Sequence, residues 1–251
     1  MEPQVENGSG LPHVAQLPHR QLWRSQLDGF HQPRSADSHP DDGAVGPGVL
    51  VHPLPHRLGP VDRSANGGDV ASFVASDNVA GGKQAADALA KAIGEEGEVL
   101  VLQGITGSSA SRDRGKGFAE GIAAYPNIKV VAQQTAGFDR TQDLNVATNL
   151  LQAHPNVKAI FAENDEMALG ALEALGARAG SDVMVVGFDG TADGLKAVES
   201  GRMVATIAQQ PGELGAKAVE QAAKLAKGEP VEAEVPVEVV TVTKDNVADF
   251  K

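Results

Sequence analysis

Arg114, Asn164, Asp189 and Gln209 are planar hydrogen-bonding side chains at or just beyond short apolar runs of the chain, and Phe138 and Phe188 stand at similar places. An arginine offers planar donors, an aspartate planar acceptors, and asparagine or glutamine both, so each can engage two neighbouring hydroxyls. Aromatic rings can cover the apolar C–H face of a sugar ring. The set therefore has the make-up of a polyol clamp. A hydrogen bond left unmade at a buried site costs about 1–3 kcal/mol, so such a clamp discriminates between hydroxyl patterns. Taken singly, every member has a plainer reading. Asp165 and Asp189 suit a helix cap or turn, and Asn164 a loop. Phe138 and Phe188 suit core filling, Arg112 and Arg114 a solvated helix face, and Asp139 and Arg140 a surface loop. Their recurrence after several successive strands is what favours the clamp.

Catalytic readings find less support. His154 is the one histidine after residue 60, and it stands beside Pro155, so there is no Ser–His–Asp set. No pair of carboxylates has an evident acid–base logic. Gly104-Ile105-Thr106-Gly107 lacks the lysine of a phosphate loop and the spacing of a dinucleotide fingerprint. Neither a cofactor nor a metal is expected, and the chain is not expected to be an enzyme.

The elements that must position these residues alternate from Asp77 onward. Helices are predicted over Asn78 to Ile93 (Asp77 or Asn78 as cap), Ser109 to Ala124, Thr141 to His154, Asp165 to Leu175, Ala192 to Ser200 and Pro211 to Lys227. Strands are predicted over Glu98 to Leu102, Ile128 to Ala132, Val157 to Ala162, Val183 to Phe188, Val204 to Ala208 and Val235 to Val242. Strand–helix alternation with short connections implies an α/β fold, parallel sheets covered on both faces by helices. Ligands of such folds sit beyond the carboxyl ends of the strands. Those ends are Gln103 to Thr106, Gln134 to Arg140, Glu163 to Asp165, Phe188 to Gly190, and Gln209-Gln210.

Composition narrows the partners. Lys+Arg 21 against Asp+Glu 33 gives a net charge of −12, which repels phosphate and argues against general nucleic-acid binding. With no cysteine, disulfides and thiolate chemistry are excluded. No apolar run approaches the roughly 18–20 residues needed to span a bilayer, and Met1-Glu2-Pro3-Gln4 has neither the basic nor the apolar region of an export signal.

Residues 1–60 differ sharply from the rest. They hold six of the seven histidines and nine of the 14 prolines, whereas the first lysine is Lys83, and they show no sustained period of 2 or 3.6. Three readings compete: a Pro-rich disordered arm, a histidine metal site, and a stretch from a shifted reading frame or a misassigned start. The metal site is weakened because Pro53 and Pro55 preclude a helix that would bring His52 and His56 to one face.

Longer strings then carry a resemblance. Val61-Asp62-Arg63, Ala75-Ser76-Asp77-Asn78, Leu102-Gln103-Gly104-Ile105, Arg112-Asp113-Arg114-Gly115-Lys116-Gly117-Phe118 and Phe138-Asp139-Arg140 occur in order. So do Ala162-Glu163-Asn164-Asp165-Glu166-Met167-Ala168-Leu169-Gly170-Ala171-Leu172, Asp182 to Gly190, and Ala205-Thr206-Ile207-Ala208-Gln209. From about residue 61 to 240 the chain resembles the periplasmic sugar-binding proteins of bacterial ABC importers, above all their ribose-binding group.

The resemblance implies a two-lobe fold of parallel sheets flanked by helices that closes over one monosaccharide, with D-ribose the leading candidate. It implies that Asp62 and Arg63 contribute from the first lobe, that Arg114, Phe138, Asn164, Phe188 and Asp189 contribute from the second, and that Gln209 lies on a crossover. It further implies a membrane permease as partner, a monomeric state, and a place in the periplasm or at the outer cell surface. By the same comparison, 77–209 forms the second lobe, 61–76 with 210–251 forms a remnant of the first, and 1–60 is an aberrant or disordered segment. That segment lacks the alternating blocks of a first lobe, so this chain is expected to bind ribose weakly or not at all. A sugar-sensing domain of a LacI-type repressor shares the fold, but it would need a basic helix-turn-helix head. Residues 1–60 contain four arginines, no lysine and no helical period.

Overall fold

The computed structural model describes residues 70–250. Readings that fall on residues 1–69, including the site assignments of Asp62 and Arg63, lie outside them. The described chain runs β1 (Phe73–Ser76), α1 (Asn78–Ala92), β2 (Gly97–Gln103), α2 (Ser109–Ile122), β3 (Ile128–Thr135), α3 (Arg140–Ala153), β4 (Val157–Ala162) and α4 (Asp165–Leu175). It continues β5 (Met184–Asp189), α5 (Ala192–Glu199), β6 (Ala205–Ala208), α6 (Pro211–Ala226), β7 (Glu234–Val237) and β8 (Val240–Thr243).

Four of the helices start where a short polar side chain accepts a backbone N–H. Asp77 accepts from Ala80, Asp139 from Gln142, Asn164 from Met167 and Thr191 from Gly194. The strands β2, β4, β5 and β6 are apolar without alternation because helices cover both faces of their sheet. The six-stranded sheet has the order β3-β2-β4-β5-β6-β8, parallel except for β8, which is antiparallel to β6. One face packs α3 and α4 over Leu100, Ile160 and Val185, and the other packs α1 and α2 over Val99, Phe161 and Val186. A second sheet pairs β1 with β7 in parallel, and with Leu214 of α6 it forms a small separate core.

The structure redraws the end of the chain. The single strand expected over 235–242 is two strands in different sheets, with Glu238 and Val239 between them. Residues 240–250 therefore belong with the larger sheet rather than with the first-lobe remnant. Both halves alternate apolar and polar residues, so periodicity alone does not show the change of sheet. The strand β1 also precedes the first element predicted from the sequence.

Helices α1 and α2 meet through glycine. A Cβ placed at Gly117 would lie 2.0 Å from the carbonyl oxygen of Val79, and one at Gly82 would lie 2.2 Å from that of Arg114. Alanine normally favours a helix over glycine by about 1 kcal/mol. Here the obstacle is backbone, which cannot rotate aside, so the helices must separate. Gly117→Ala is expected to lose about 1–3 kcal/mol net, as overpacked cores do, read as a lower urea midpoint at unchanged slope. A variant as stable as the parent would show that α1 and α2 can part without cost.

Candidate functional site

The carboxyl ends of β4 and β5 meet at Arg114, whose side chain is 4% exposed. Its Nε donates to Asn78 Oδ1 at 2.8 Å, and its Nη1 donates to the Glu163 carbonyl at 2.6 Å. Nη1 also lies 3.0 Å from Asp189 Oδ1. Gln209 Nε2 donates to that same Asp189 oxygen at 2.7 Å, and Ser76 Oγ donates to Gln209 Oε1 at 2.7 Å. A continuous polar chain thus runs from the smaller sheet through Gln209 and Asp189 to Arg114. Nη2 of Arg114 makes no hydrogen bond to a described residue.

Two backbone features aim these groups. Asp189 has φ +109° and Phe138 has φ +61°, both in the region that side chains other than glycine avoid. Such strain costs about 1–3 kcal/mol and persists where its surroundings enforce it. Phe138 follows Gly137, also at positive φ, and its ring lies across Gly104, where a Cβ would come within 2.1 Å of it. Gly104 is pinned in turn: its N–H donates to Glu163 Oε2 at 2.7 Å, its carbonyl accepts from Thr135 Oγ1 at 2.6 Å, and Ser111 Oγ donates to the same Glu163 oxygen. Burial pushes the Glu163 carboxyl above its ordinary range, while the bonds from Gly104 and Ser111 and the charge of Arg114 oppose that shift.

Among the residues expected at the site, Arg114, Asp189 and Gln209 form one bonded set. Phe138 is half-buried, with its ring centroid 6.0 Å from the Arg114 guanidinium carbon. Asn164 is at the carboxyl end of β4, and its Oδ1 is taken up in capping α4. Phe188 lies behind the guanidinium. It has no exposed surface, and the Arg114 guanidinium carbon sits 3.8 Å from its ring centroid. Its other neighbours include Gly81 and Val239. The enclosed ring supports the guanidinium by cation–π contact.

Sequence reasoning gave no site role to Ser76 or Asn78, and it placed Glu163 at a strand end without assigning it one. Asn78 carried a usable signal. Two capping residue types in succession, Asp77 and Asn78, leave one without a cap to make, and Asn78 binds Arg114 instead. Two concavities border the cluster without including Arg114, Asp189 or Gln209. One of about 440 Å³ lies between α2 and the β2–β3 edge, and one of about 250 Å³ lies against β1 and the start of α1. Among the described residues no group of three or more His, Cys, Asp or Glu is arranged to hold a metal ion, and no helix is long and apolar enough to cross a membrane.

Away from the site, Asp143 on α3 is fully buried against α4, and its carboxyl is pushed up to about 8 by burial, which the Ala171 backbone offsets only in part. The folded state then holds a proton that the unfolded chain releases near pH 4. The contribution of Asp143 to stability is therefore greatest at low pH and falls as pH rises from about 4 to about 8, by up to about 1.4 kcal/mol per unit. Asp143→Asn is expected to flatten that slope in urea titrations at successive pH values. An unchanged slope would mean that Asp143 does not carry it.

Comparison with known proteins adds the following. A family model described as a periplasmic binding protein domain matches residues 60–230, beginning where the composition changes. The ribose import binding protein of Salmonella typhimurium is 58% identical over 205 residues, covering 81% of this chain and 69% of that protein. The D-allose-binding periplasmic protein of Escherichia coli is 41% identical, covering 67% of this chain and 55% of that protein. A periplasmic solute-binding protein of Actinobacillus succinogenes with bound D-allose superposes with a TM-score of 0.68 at 39% identity, over 71% of this chain and 64% of that one. The Caulobacter myo-inositol binding protein gives 0.69 at 38% identity, over 75% and 66%.

Proposed function

The chain belongs to the periplasmic binding protein family, and from that premise we propose that it is the sugar-binding, non-enzymatic component of an ABC importer whose ligand is D-ribose. The observation that carries this reading is the Ser76–Gln209–Asp189–Arg114 chain. It sets acceptor, amide and guanidinium side by side beyond the strand ends, with the Phe138 ring close by. Vicinal hydroxyls on a pentose match such alternating planar donors and acceptors. The relatives named above are importer components, and no repressor stands among them.

The cluster also suggests how binding becomes a signal. Ser76 belongs to β1 of the smaller sheet, whereas Asp189 ends β5 of the larger one. A sugar held by Asp189 and Arg114 strengthens the same chain that ties the two sheets through Gln209, so ligand favours the closed arrangement of two lobes that a permease would read. The protein acts as a monomer in the periplasm. Asp62 and Arg63 complete the sugar contacts from the first lobe, and 210–237 with 70–76 form the described part of that lobe.

Specificity among related polyols is tested by a thermal-shift series. D-ribose is expected to raise the melting temperature in proportion to the logarithm of its concentration, and by more than D-allose, xylitol or myo-inositol at equal concentration. A larger rise with one of those would transfer the assignment to it.

A further inference from the structure

Asp165 has no exposed surface and is not needed to cap its own helix, because Asn164 already does so. Its carboxylate reaches out of α4 toward the turn after β5. Oδ2 accepts from Thr191 N at 2.7 Å and from Thr191 Oγ1 at 3.0 Å, and Oδ1 accepts from Thr206 Oγ1 at 2.7 Å. Thr206 Oγ1 in turn accepts from Gly190 N at 3.2 Å. Both amides that follow Asp189 are thereby anchored to one carboxylate, one directly and one through a hydroxyl.

The surroundings are shaped for that carboxylate. A Cβ at Gly194 would lie 2.1 Å from Asp165 Oδ2, and one at Gly187 would lie 2.4 Å from Oδ1. Two glycines on different elements thus clear the space it occupies. Immediately before the anchored amides stands Asp189, whose φ of +109° needs outside support. Three donated bonds to an ionised carboxylate are among the stronger supports available to a turn.

We propose that Asp165 is a positioning residue of the sugar site, whose carboxylate fixes the 189–191 turn and so aims Asp189 at the ligand. This rests on the sugar-binding reading for its functional half only. All three bonds to Asp165 are donated by its partners, so the competent form is ionised. Burial raises its carboxyl to about 7, with Thr206 and Thr191 lowering it and the charge of Asp189 raising it. Other nearby charges engage one another: Arg114 pairs with Asp189, and Arg140 of α3 pairs with Glu166 of α4 and Asp193 of α5. Sugar affinity is therefore expected to fall below about pH 7 as Asp165 takes up a proton.

The test combines Asp165→Asn with Thr206→Val and two readouts. D-ribose affinity from ¹H–¹⁵N titrations should weaken roughly 10- to 100-fold in Asp165→Asn, by less in Thr206→Val, and should lose its dependence on pH. Without sugar, the Gly190 and Thr191 amide resonances of the parent should titrate near neutrality and cease to do so in Asp165→Asn. If Asp165→Asn lowers only the melting temperature and leaves affinity and pH profile intact, Asp165 is merely structural and the inference fails. If the parent binds no ribose, the functional reading fails, and the amide titration still decides whether Asp165 holds the turn. Amides indifferent to the substitution would overturn it.

Discussion

Calorimetry of this 251-residue chain with D-ribose is expected to give an affinity about 10²- to 10⁶-fold below that of the 58%-identical Salmonella relative measured beside it. On the proposed reading, Arg114, Phe138, Asn164, Asp189 and Gln209 supply one wall of the sugar site. Residues 1–60 have histidine, proline and arginine where a first lobe needs alternating apolar blocks, and the family match starts only at residue 60. About three absent contacts at about 1–3 kcal/mol each account for the range. Equal affinity in the two proteins would mean that the first 60 residues complete the site after all, despite their composition.

Arg114→Met should have the largest effect of any single substitution at the cluster. Removing one partner of a fully buried ion pair costs about 3–5 kcal/mol, and the cost here is smaller because the Asp189 side chain is 23% exposed and keeps its bond from Gln209. The methionine keeps apolar contact with Phe188, but Asn78 Oδ1, the Glu163 carbonyl and Asp189 lose their donor. The melting temperature should fall and ribose binding should vanish. Adding Asp189→Asn removes the charge that Arg114 no longer balances, so the double variant should regain part of the stability and none of the binding. Recovery of binding in the double variant, or a single variant that still binds, would show that Arg114 only supports the fold. Both variants can be followed by urea unfolding and by sugar titration on the same samples.

The central sheet was legible because its signals are local. Apolar runs bounded by Gly, Pro and capping residues fix β2 through β6 and their helices, and the rule that ligands sit at strand ends selects Asp189 and Gln209 without knowledge of the fold. What was not legible depends on contacts between distant segments. The full enclosure of Phe188 depends on Gly81 and Val239, which lie far from it along the chain and close the space around it. The change of sheet after Val237 is set by whether β1 or β6 is the available neighbour, and alternation is the same in either case. The buried role of Asp165 likewise depends on glycines at 187 and 194 and a threonine at 206, on three other elements or turns.

The claim that planar polar groups at the ends of β4, β5 and β6 grip a sugar is tested most directly by ¹H–¹⁵N NMR during a D-ribose titration to about 100 mM, which detects even millimolar binding. The account predicts saturable shifts concentrated at Phe138, Asn164, Asp189, Gly190 and Gln209, together with the Arg114 Nε–H resonance. Saturable shifts confined to the groove between α2 and the β2–β3 edge, or none at any concentration, would contradict it.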